Sequence, residues 1–223
     1  MDLNAFEEKI GYTFKNKELL KTALTHSSYA NENKLPHDNE RLEFLGDSVL
    51  GFVTAEYLFE EYKSRPEGVL TKLRAAVVCE KSLFRFSKKI SLGEFILIGR
   101  GEEHTGGRNR PSILSDAFEA VIAAMYLDGG MEVVKPYILS FIKEAVKREA
   151  SFKDNKSLLQ EEIQRTKGNV LSYEETGESG PDHDKRFTFV VKLNGEIVGS
   201  GEGKSKKEAE QAAAGNSLLN LKK

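Results

Sequence analysis

The stretch Asn39-Glu40-Arg41-Leu42-Glu43-Phe44-Leu45-Gly46-Asp47-Ser48 decides how the N-terminal part of the chain is interpreted. Apolar residues recur at positions 42, 45, 49 and 52, which predicts a helix with one buried face. Acidic residues at positions 40, 43 and 47 form a second stripe, because residues three and four apart are neighbours on a helix. A divalent cation would offset the repulsion between these carboxylates. Taken alone, the stretch also fits a solvated acidic face.

A second pair of acids lies in an apolar segment. Residues 111–127 predict a helix that is apolar nearly all round and therefore buried, and Asp128-Gly129-Gly130 ends it. Asp116 and Glu119 lie three residues apart on one face of this helix. Because a buried carboxylate without a partner is costly, these two acids require a cation or a metal ion.

In the helix that begins with residues 39–48, Gly46 predicts the close approach of a neighbouring helix. Glycine inside a helix costs about 1 kcal/mol relative to alanine, so its presence there indicates a packing reason.

Composition bounds the compartment and the class of partner. The 223 residues are 39% hydrophobic, enough for one or two cores, and they contain no apolar run long enough to span a membrane. Residues 1–8 lack the apolar core of a signal peptide. Cys79 is the single cysteine, which fits a reducing compartment, so we expect a cytoplasmic protein without a membrane partner. The net charge of −2 speaks weakly against nucleic acid, and local clusters would have to bind phosphates.

Two further segments allow alternative interpretations. His26 beside Ser27 and Ser28 suggests a hydrolase, but there is no Gly-x-Ser-x-Gly motif, and a hydrogen-bonding histidine is the preferred interpretation. Residues 96–110 are rich in glycine and arginine. They fit a flexible connection or a loop whose backbone contacts phosphate, and no Walker-type Gly-Lys-Ser/Thr ends them.

The C-terminal segment changes character after the polar residues 150–156. A helix over 157–165 precedes three predicted strands, over 170–176, 186–193 and 196–200. Asn194-Gly195 is a type I′ hairpin signal, and Ser205 with Glu208 forms a capping box that opens a last helix. The sequence therefore predicts a multidomain fold, an all-α domain followed by an α+β domain of order α-β-β-β-α.

These motifs together resemble one family. Residues 39–48 resemble the signature decapeptide of bacterial ribonuclease III, and residues 23–29 and 115–120 resemble its flanking motifs. The C-terminal unit, with residues 201–214, resembles the double-stranded-RNA-binding domain. The resemblance implies an all-helical endonuclease domain over 1–150, a linker over 151–155 and the RNA-binding domain over 156–223. It further implies a homodimer that cuts both strands of duplex RNA and leaves short 3′ overhangs.

The resemblance also implies the residues of the active centre. They are the catalytic Asp47 and Glu119, the metal ligands Glu43, Asp116 and Glu119, and two secondary acids of the active-site valley, Glu40 and Glu67. The implied metal is Mg²⁺, with Mn²⁺ as a substitute. The residue types agree with this, because Mg²⁺ prefers oxygen ligands, whereas zinc prefers histidine and cysteine.

Recognition of duplex RNA is expected from the C-terminal domain. The candidates are Lys204, Lys206 and Lys207 at the start of the last helix, Gln160 and Gln164 four apart on the first helix, and His183 in the loop between strands. Lysines at a helix N-terminus attract phosphate, and the glutamines and histidine would reach 2′-hydroxyls in the minor groove. The alternatives are a solubilising cap for the lysines and a purely solvated face for the glutamines.

Two other functions compete with a metal-dependent endoribonuclease. One is a catalytically silent dimeric protein that binds double-stranded RNA, and the other is a helical scaffold. A silent binder has no use for four converging carboxylates, which repel RNA when no metal is bound. A scaffold leaves the C-terminal lysine cluster unexplained. The expected substrates in this family are precursors of ribosomal RNA and structured precursors of messenger and transfer RNA.

Overall fold

The structure is a computed structural model that describes residues 2–63, 65–153, 155–166, 168–181 and 184–221, with the backbone alone for 150–153 and 161. The chain divides into two compact units, Met1–Val146 and Lys147–Lys223. The first is helical, and the second contains a three-stranded antiparallel sheet with helices before and after it. The predicted fold class is therefore confirmed.

Within the described residues, the helices before the sheet, including one 3-10 helix (η1), are α1 (Leu3–Ile10), α2 (Lys17–Ala23), α3 (Ser27–Glu32), α4 (Glu40–Glu61), α5 (Glu67–Val77), α6 (Glu80–Lys89), α7 (Leu92–Phe95), α8 (Arg100–His104), η1 (Gly107–Asn109), α9 (Pro111–Gly129), α10 (Met131–Lys153) and α11 (Asn155–Gln164). The sheet and last helix are β1 (Leu171–Ser179), β2 (Arg186–Leu193), β3 (Glu196–Gly203) and α12 (Lys206–Leu221). In the part of the chain that these ranges cover, no helix combines the length and apolar character needed to cross a membrane.

Helix α9 is the centre of the first unit. It begins with Pro111 in its first turn, where the missing N–H costs nothing, and ends where Gly130 takes a φ of 75°. Its middle is fully buried, as expected for a helix that is apolar nearly all round; the residues without exposed surface include Leu114, Ala117, Ala120, Val121, Ile122, Ala123 and Ala124. Helix α4 packs on it through its own buried residues, which include Leu42, Val49, Leu50 and Val53.

Gly46 marks the closest approach of α4 to α9. A Cβ atom at this position would overlap the backbone carbonyl oxygen of Glu119. The predicted close contact of a neighbouring helix is therefore confirmed. Glycine lowers the stability of the helix by about 1 kcal/mol relative to alanine, and the close packing of α4 on α9 that it permits offsets this loss.

An aromatic cluster fixes α9 from the α6 and α10 side. Phe118 of α9 lies 5.8 Å from Phe86 of α6 and 5.4 Å from Phe141 of α10, measured between ring centres. Tilted and edge-on rings at such distances add about 0.5–1.5 kcal/mol per pair beyond their burial. The cluster therefore limits rotation of α9 about its axis, which keeps the acidic face of the helix directed toward α4.

In the second unit, α12 packs directly on β3. Gly199, Gly201 and Gly203 alternate along the strand, so all three lie on one face. A Cβ atom on any of them would overlap α12, at Ser217, Ala213 and Ala209 respectively. These helix residues are four apart and lie along one stripe. The predicted hairpin is also confirmed, because Asn194 and Gly195 both have positive φ, at 52° and 90°.

Two segments differ from the sequence predictions. Residues 96–110 do not form a flexible connection; they form α8 and η1, with Arg108 Nε donating to Glu103 at 2.7 Å and Arg108 Nη1 donating to the Ile96 carbonyl at 2.8 Å. Helix α10 continues to Lys153, so the predicted linker residues 151–153 are helical. After Pro136, no glycine or proline interrupts the helix up to Lys153, and lysine, arginine, glutamate and alanine all favour a helix. The predicted bounds of 1–150, 151–155 and 156–223 otherwise stay a prediction.

Replacing Gly46 by alanine should destabilise the protein by about 1–3 kcal/mol, because the new methyl group forces α4 and α9 apart. The matched control is Gly51→Ala in the same helix, where a Cβ atom meets nothing within 4 Å. That control should stabilise the protein by up to about 1 kcal/mol. Chemical denaturation followed by circular dichroism measures both. Equal shifts in the two variants would contradict the packing role of Gly46.

Candidate active site

Three carboxylates from two helices converge in the first unit. Glu43 belongs to α4, and Asp116 and Glu119 belong to α9. One carboxylate oxygen from each lies within 4.8 Å of those from the other two. Glu119 is buried and the other two are half-buried, so the group is only partly accessible to solvent.

The helix crossing explains this convergence. Glu43 lies about one turn before Gly46, and Asp116 lies about one turn before Glu119. Since Gly46 contacts the Glu119 backbone, the adjacent turns bring the Glu43 and Asp116 side chains to the same place. The start of α4 is itself held by the preceding segment, where the Asn39 N–H donates to the Thr25 carbonyl at 2.9 Å.

Burial and like charge make the group electrostatically unfavourable when it is ionised. Burial, followed by the charges of Asp47, Asp116 and Glu43, raises the pKa of Glu119 to about 8. Burial is also the main reason that the pKa values of Glu43 and Asp116 are raised. Among the described residues, none of the three has a lysine or arginine as an ion-pair partner.

The other predicted acids lie around this group without belonging to it. Asp47 is exposed, and its charge is the largest charge contribution to the raised pKa of Glu119. Glu40 is exposed and contributes to the raised pKa of Glu43. Glu67 is farther along the chain, in the first turn of α5, where it accepts a hydrogen bond from Thr71 Oγ1 at 2.7 Å.

Sequence reasoning missed one acid near the centre. Glu80, in the first turn of α6, is close enough for its charge to raise the pKa of Asp116. An acid in the first turn of a helix is already explained by its favourable interaction with the helix dipole. The sequence therefore gave no reason to connect Glu80 with Asp116. The protonated form of His26 acts on Asp116 in the opposite direction and lowers its pKa.

His26 has the structural role that was preferred from sequence. Its Nδ1 accepts the Ser28 N–H at 3.2 Å at the start of α3, and Ser28 Oγ lies 2.8 Å from the same nitrogen. Ser28 Oγ also accepts the Gly99 N–H at 2.9 Å. These bonds join the start of α3 to the segment before α8.

The donor set of the centre suits a hard divalent cation. All the convergent atoms are carboxylate oxygens from Glu43, Asp116 and Glu119, and no cysteine or histidine is among them. Calcium, magnesium and manganese prefer such oxygen ligands. A bound cation would also offset the mutual repulsion that raises the pKa values of the group, so the residues fit a metal on chemical and electrostatic grounds.

The second unit presents the predicted RNA-binding residues at two places. Lys204, Lys206 and Lys207 are exposed at the start of α12. Half of the predicted capping box is present, with the Glu208 N–H donating to Ser205 Oγ at 3.2 Å, while Glu208 Oε2 accepts the N–H of Lys204, one residue before the N-cap, at 2.9 Å. Gln160 and Gln164 are exposed on α11. His183 lies outside the described residues.

A helical unit with a carboxylate centre, followed by an α-β-β-β-α unit with lysines at a helix start, defines the class of metal-centred nucleases with an RNA-binding domain. Comparisons with known proteins agree. Residues 16–146 match the family described as "Ribonuclease-III-like", and residues 155–221 match the "Double-stranded RNA binding motif". The chain is 51% identical to "Ribonuclease 3" of Bacillus cytotoxicus over 98% of this chain and 91% of that protein.

Other relatives extend the likeness to the three-dimensional structure. "Ribonuclease 3" of Bacillus cereus is 51% identical over 97% of this chain and 90% of its own length. The nuclease domain of Campylobacter jejuni ribonuclease III is 46% identical, with a TM-score of 0.61, and the match covers 65% of this chain and 98% of that one. The chain belongs to the ribonuclease III family. It is an endoribonuclease of double-stranded RNA, and the family is metal-dependent.

The raised pKa of Glu119 predicts how stability depends on pH when a chelator keeps metal away. The folded protein holds a proton at Glu119 up to a pH of about 8, whereas the unfolded chain releases it near the ordinary value of 4.5. The folded state therefore binds more protons in this window, and the thermal midpoint should fall as pH rises through it. Thermal unfolding followed by circular dichroism measures this fall.

Glu119→Gln should reduce this dependence on pH, and Glu61→Gln, an exposed glutamate of α4, should leave it unchanged. A divalent metal ion should raise the midpoint of the wild type more at pH 8 than at pH 6, because at the lower pH it must displace a proton. An equal pH dependence in wild type and Glu119→Gln would contradict this account of the centre.

Proposed function

We propose that this endoribonuclease holds Mg²⁺, or Mn²⁺ in its place, through Glu43, Asp116 and Glu119, and uses Asp47 and Glu119 as its catalytic residues. The observation that carries the proposal is the convergence of three carboxylates, within 4.8 Å of one another, from two helices. When bound, the metal ion supplies positive charge that shields the phosphate and stabilises the transition state of phosphodiester hydrolysis.

The protein's own residues have distinct tasks in this proposal. Glu119 is buried and carries a proton at neutral pH when no cation is near, so metal binding and loss of this proton are coupled. Asp47 orients the attacking water in this proposal, which its exposure to solvent and the effect of its charge on Glu119 support. Glu40 and Glu67 lie outside the convergent group, and we assign them secondary roles in the valley that receives RNA.

The C-terminal unit binds the duplex in this proposal. Lys204, Lys206 and Lys207 contact phosphates across the narrow major groove, while Gln160, Gln164 and His183 reach 2′-hydroxyls in the minor groove. Such contacts read the shape of A-form RNA and not its sequence. Precursors of ribosomal RNA and structured precursors of messenger and transfer RNA are the proposed substrates, and the cytoplasm, which fits the single cysteine, is the proposed compartment.

A homodimer through the nuclease unit is supported by an exposed aromatic stripe on α4. Phe44, Phe52 and Phe59 expose 78%, 59% and 73% of their surface. They recur about every two turns, so they lie along one side of the helix. Exposed aromatic surface of this kind is typical of a protein interface. The related Campylobacter jejuni nuclease domain is described as having a region involved in dimer formation.

A second copy would complete the reaction on both strands. Each copy contributes one carboxylate centre, so a dimer has two, and each hydrolyses one strand of the duplex. Two centres offset along the RNA leave short 3′ overhangs and 5′-phosphates. The alternative of a silent RNA binder is not favoured, because Glu43, Asp47, Asp116 and Glu119 are all present and the family is enzymatic.

Glu119→Gln should lower cleavage by about a hundredfold or more while leaving RNA binding intact, since one metal ligand is lost and no RNA-binding surface changes. The assay is a denaturing gel of a long RNA duplex incubated with Mg²⁺ or with a chelator, beside a single-stranded control. Glu61→Gln is the matched control and should cut like the wild type. Normal cleavage by Glu119→Gln would show that the assignment is wrong.

Phe52→Asp should convert the dimer into a monomer and lower the yield of double-strand cuts, because a charge would be buried at the centre of the interface. Light scattering after size-exclusion chromatography measures the mass in solution. Leu127→Asp is the control, since Leu127 is 50% exposed and belongs to α9 and not to the helix that carries the stripe. A monomeric wild type, or a dimeric Phe52→Asp variant, would contradict the proposed interface.

A further inference from the structure

The three lysines at the start of α12 differ in their acidic neighbours. Lys206 Nζ donates to Glu175 Oε2 at 2.6 Å and lies 5.6 Å from the centre of the Phe187 ring. Lys204 Nζ lies 3.5 Å from Asp184 Oδ1. Among the described residues, Lys207 has no ion-pair partner. Of the three lysines, Lys206 therefore has the strongest electrostatic interactions with other groups of the protein.

A β-bulge in β1 places two acids on the side of the lysines. Glu175 lies opposite Phe189 and Glu178 lies opposite Phe187, with a register shift between Glu175 and Gly177. Residues opposite one another in an antiparallel pair share a face of the sheet, and both phenylalanines face the core beneath the helices. Without the extra residue of the bulge, strict alternation would turn Glu178 to the other face.

The two acids act on the same lysine in different ways. Glu175 hydrogen-bonds Lys206 directly and, by that bond and its charge, raises the pKa of Lys206. Glu178 is held by Lys185, with Lys185 Nζ 2.7 Å from Glu178 Oε1, and adds a smaller charge effect on Lys206. Glu175 is therefore the group that an incoming phosphate would have to replace at Lys206.

We propose that Glu175 competes with RNA phosphate for Lys206 and thereby limits the affinity of the domain for duplex RNA. The inference rests on the proposed function, in which Lys206 contacts phosphate. On binding, one charged hydrogen bond is exchanged for another, so the net gain at Lys206 is small. The released Glu175 carboxylate also stays close to the phosphate and repels it. The domain is not basic overall, so no surrounding excess of positive charge offsets this repulsion.

The test compares Glu175→Gln with Glu174→Gln in the full-length chain. Both variants remove one negative charge from β1, but Glu174 lies opposite Val190, on the other face of the sheet, and pairs with Lys192. Binding to a blunt RNA duplex is measured by fluorescence anisotropy in chelator, so that the RNA is not cut. Glu175→Gln should lower Kd roughly two- to fivefold at low salt, and Glu174→Gln should have a smaller effect.

Two readouts separate competition from a structural effect. The gain of Glu175→Gln should shrink as salt is raised, because ion pairs at the surface are screened. With Mg²⁺ present, Glu175→Gln should lower KM for duplex cleavage and leave kcat unchanged, since the nuclease centre is untouched. In a Lys206→Gln background, Glu175→Gln should increase the affinity for RNA by less than it does in the wild type, because the contribution that depends on Lys206 is absent.

The outcomes distinguish this inference from the proposed function. If Lys206→Gln does not weaken binding in the Glu175→Gln background, where no competing carboxylate is present, the assignment of Lys206 to RNA is wrong, and the competition fails with it. If Lys206→Gln weakens binding in that background but Glu175→Gln equals Glu174→Gln, the competition alone is overturned and the RNA contact stands. An equal gain from Glu175→Gln with and without Lys206 would likewise overturn it, since the effect would then be general charge.

Discussion

The backbone contact between Gly46 and Glu119 is the constraint on which the rest of the nuclease unit depends. It sets the separation of α4 and α9 below what any larger residue at position 46 would permit. Small residues on α9, such as Ala120 and Ala123, are compatible with so close a crossing, and Phe118 fills the space on the far side. Because the acids are attached to the same two helices, the spacing of the carboxylates follows from the packing of the core.

That spacing makes the ionised form of the carboxylates unfavourable, because they lie close together beside an apolar core. Glu119 is held on a helix that is otherwise apolar, and its pKa of about 8 expresses the cost of ionising it there. Apolar burial along α9, worth about 25 cal/mol for each Å² removed from water, supplies the free energy that keeps the carboxylates together. In the proposed function, a cation bound by these carboxylates would relieve the repulsion between them. The packing of the core and the repulsion between the carboxylates are thus two consequences of one arrangement.

The sequence was informative where function depends on local spacing. Acids three apart predicted the pair Asp116 and Glu119, and Asn194-Gly195 predicted the hairpin, because helix periodicity and turn chemistry are short-range properties. It failed where groups that are distant in the chain interact. Arg108 donates to the Gly93 carbonyl, 15 residues earlier, in a segment that looks flexible, and the charge of Glu80 acts on Asp116 from another helix. Neither contact can be read from a sequence without the path of the chain between its members.

The placement of charge explains how a chain with a net charge of −2 can bind RNA. Alternating glycines on β3 let α12 lie directly on the strand, which fixes where its N-terminal lysines emerge. The bulge in β1 then determines which acids share their side of the sheet. Net charge sums these groups regardless of position, whereas phosphate interacts with those within about a Debye length. The argument from net charge against a nucleic-acid partner was therefore wrong for a physical reason: at physiological salt, the distance between charges matters more than their total.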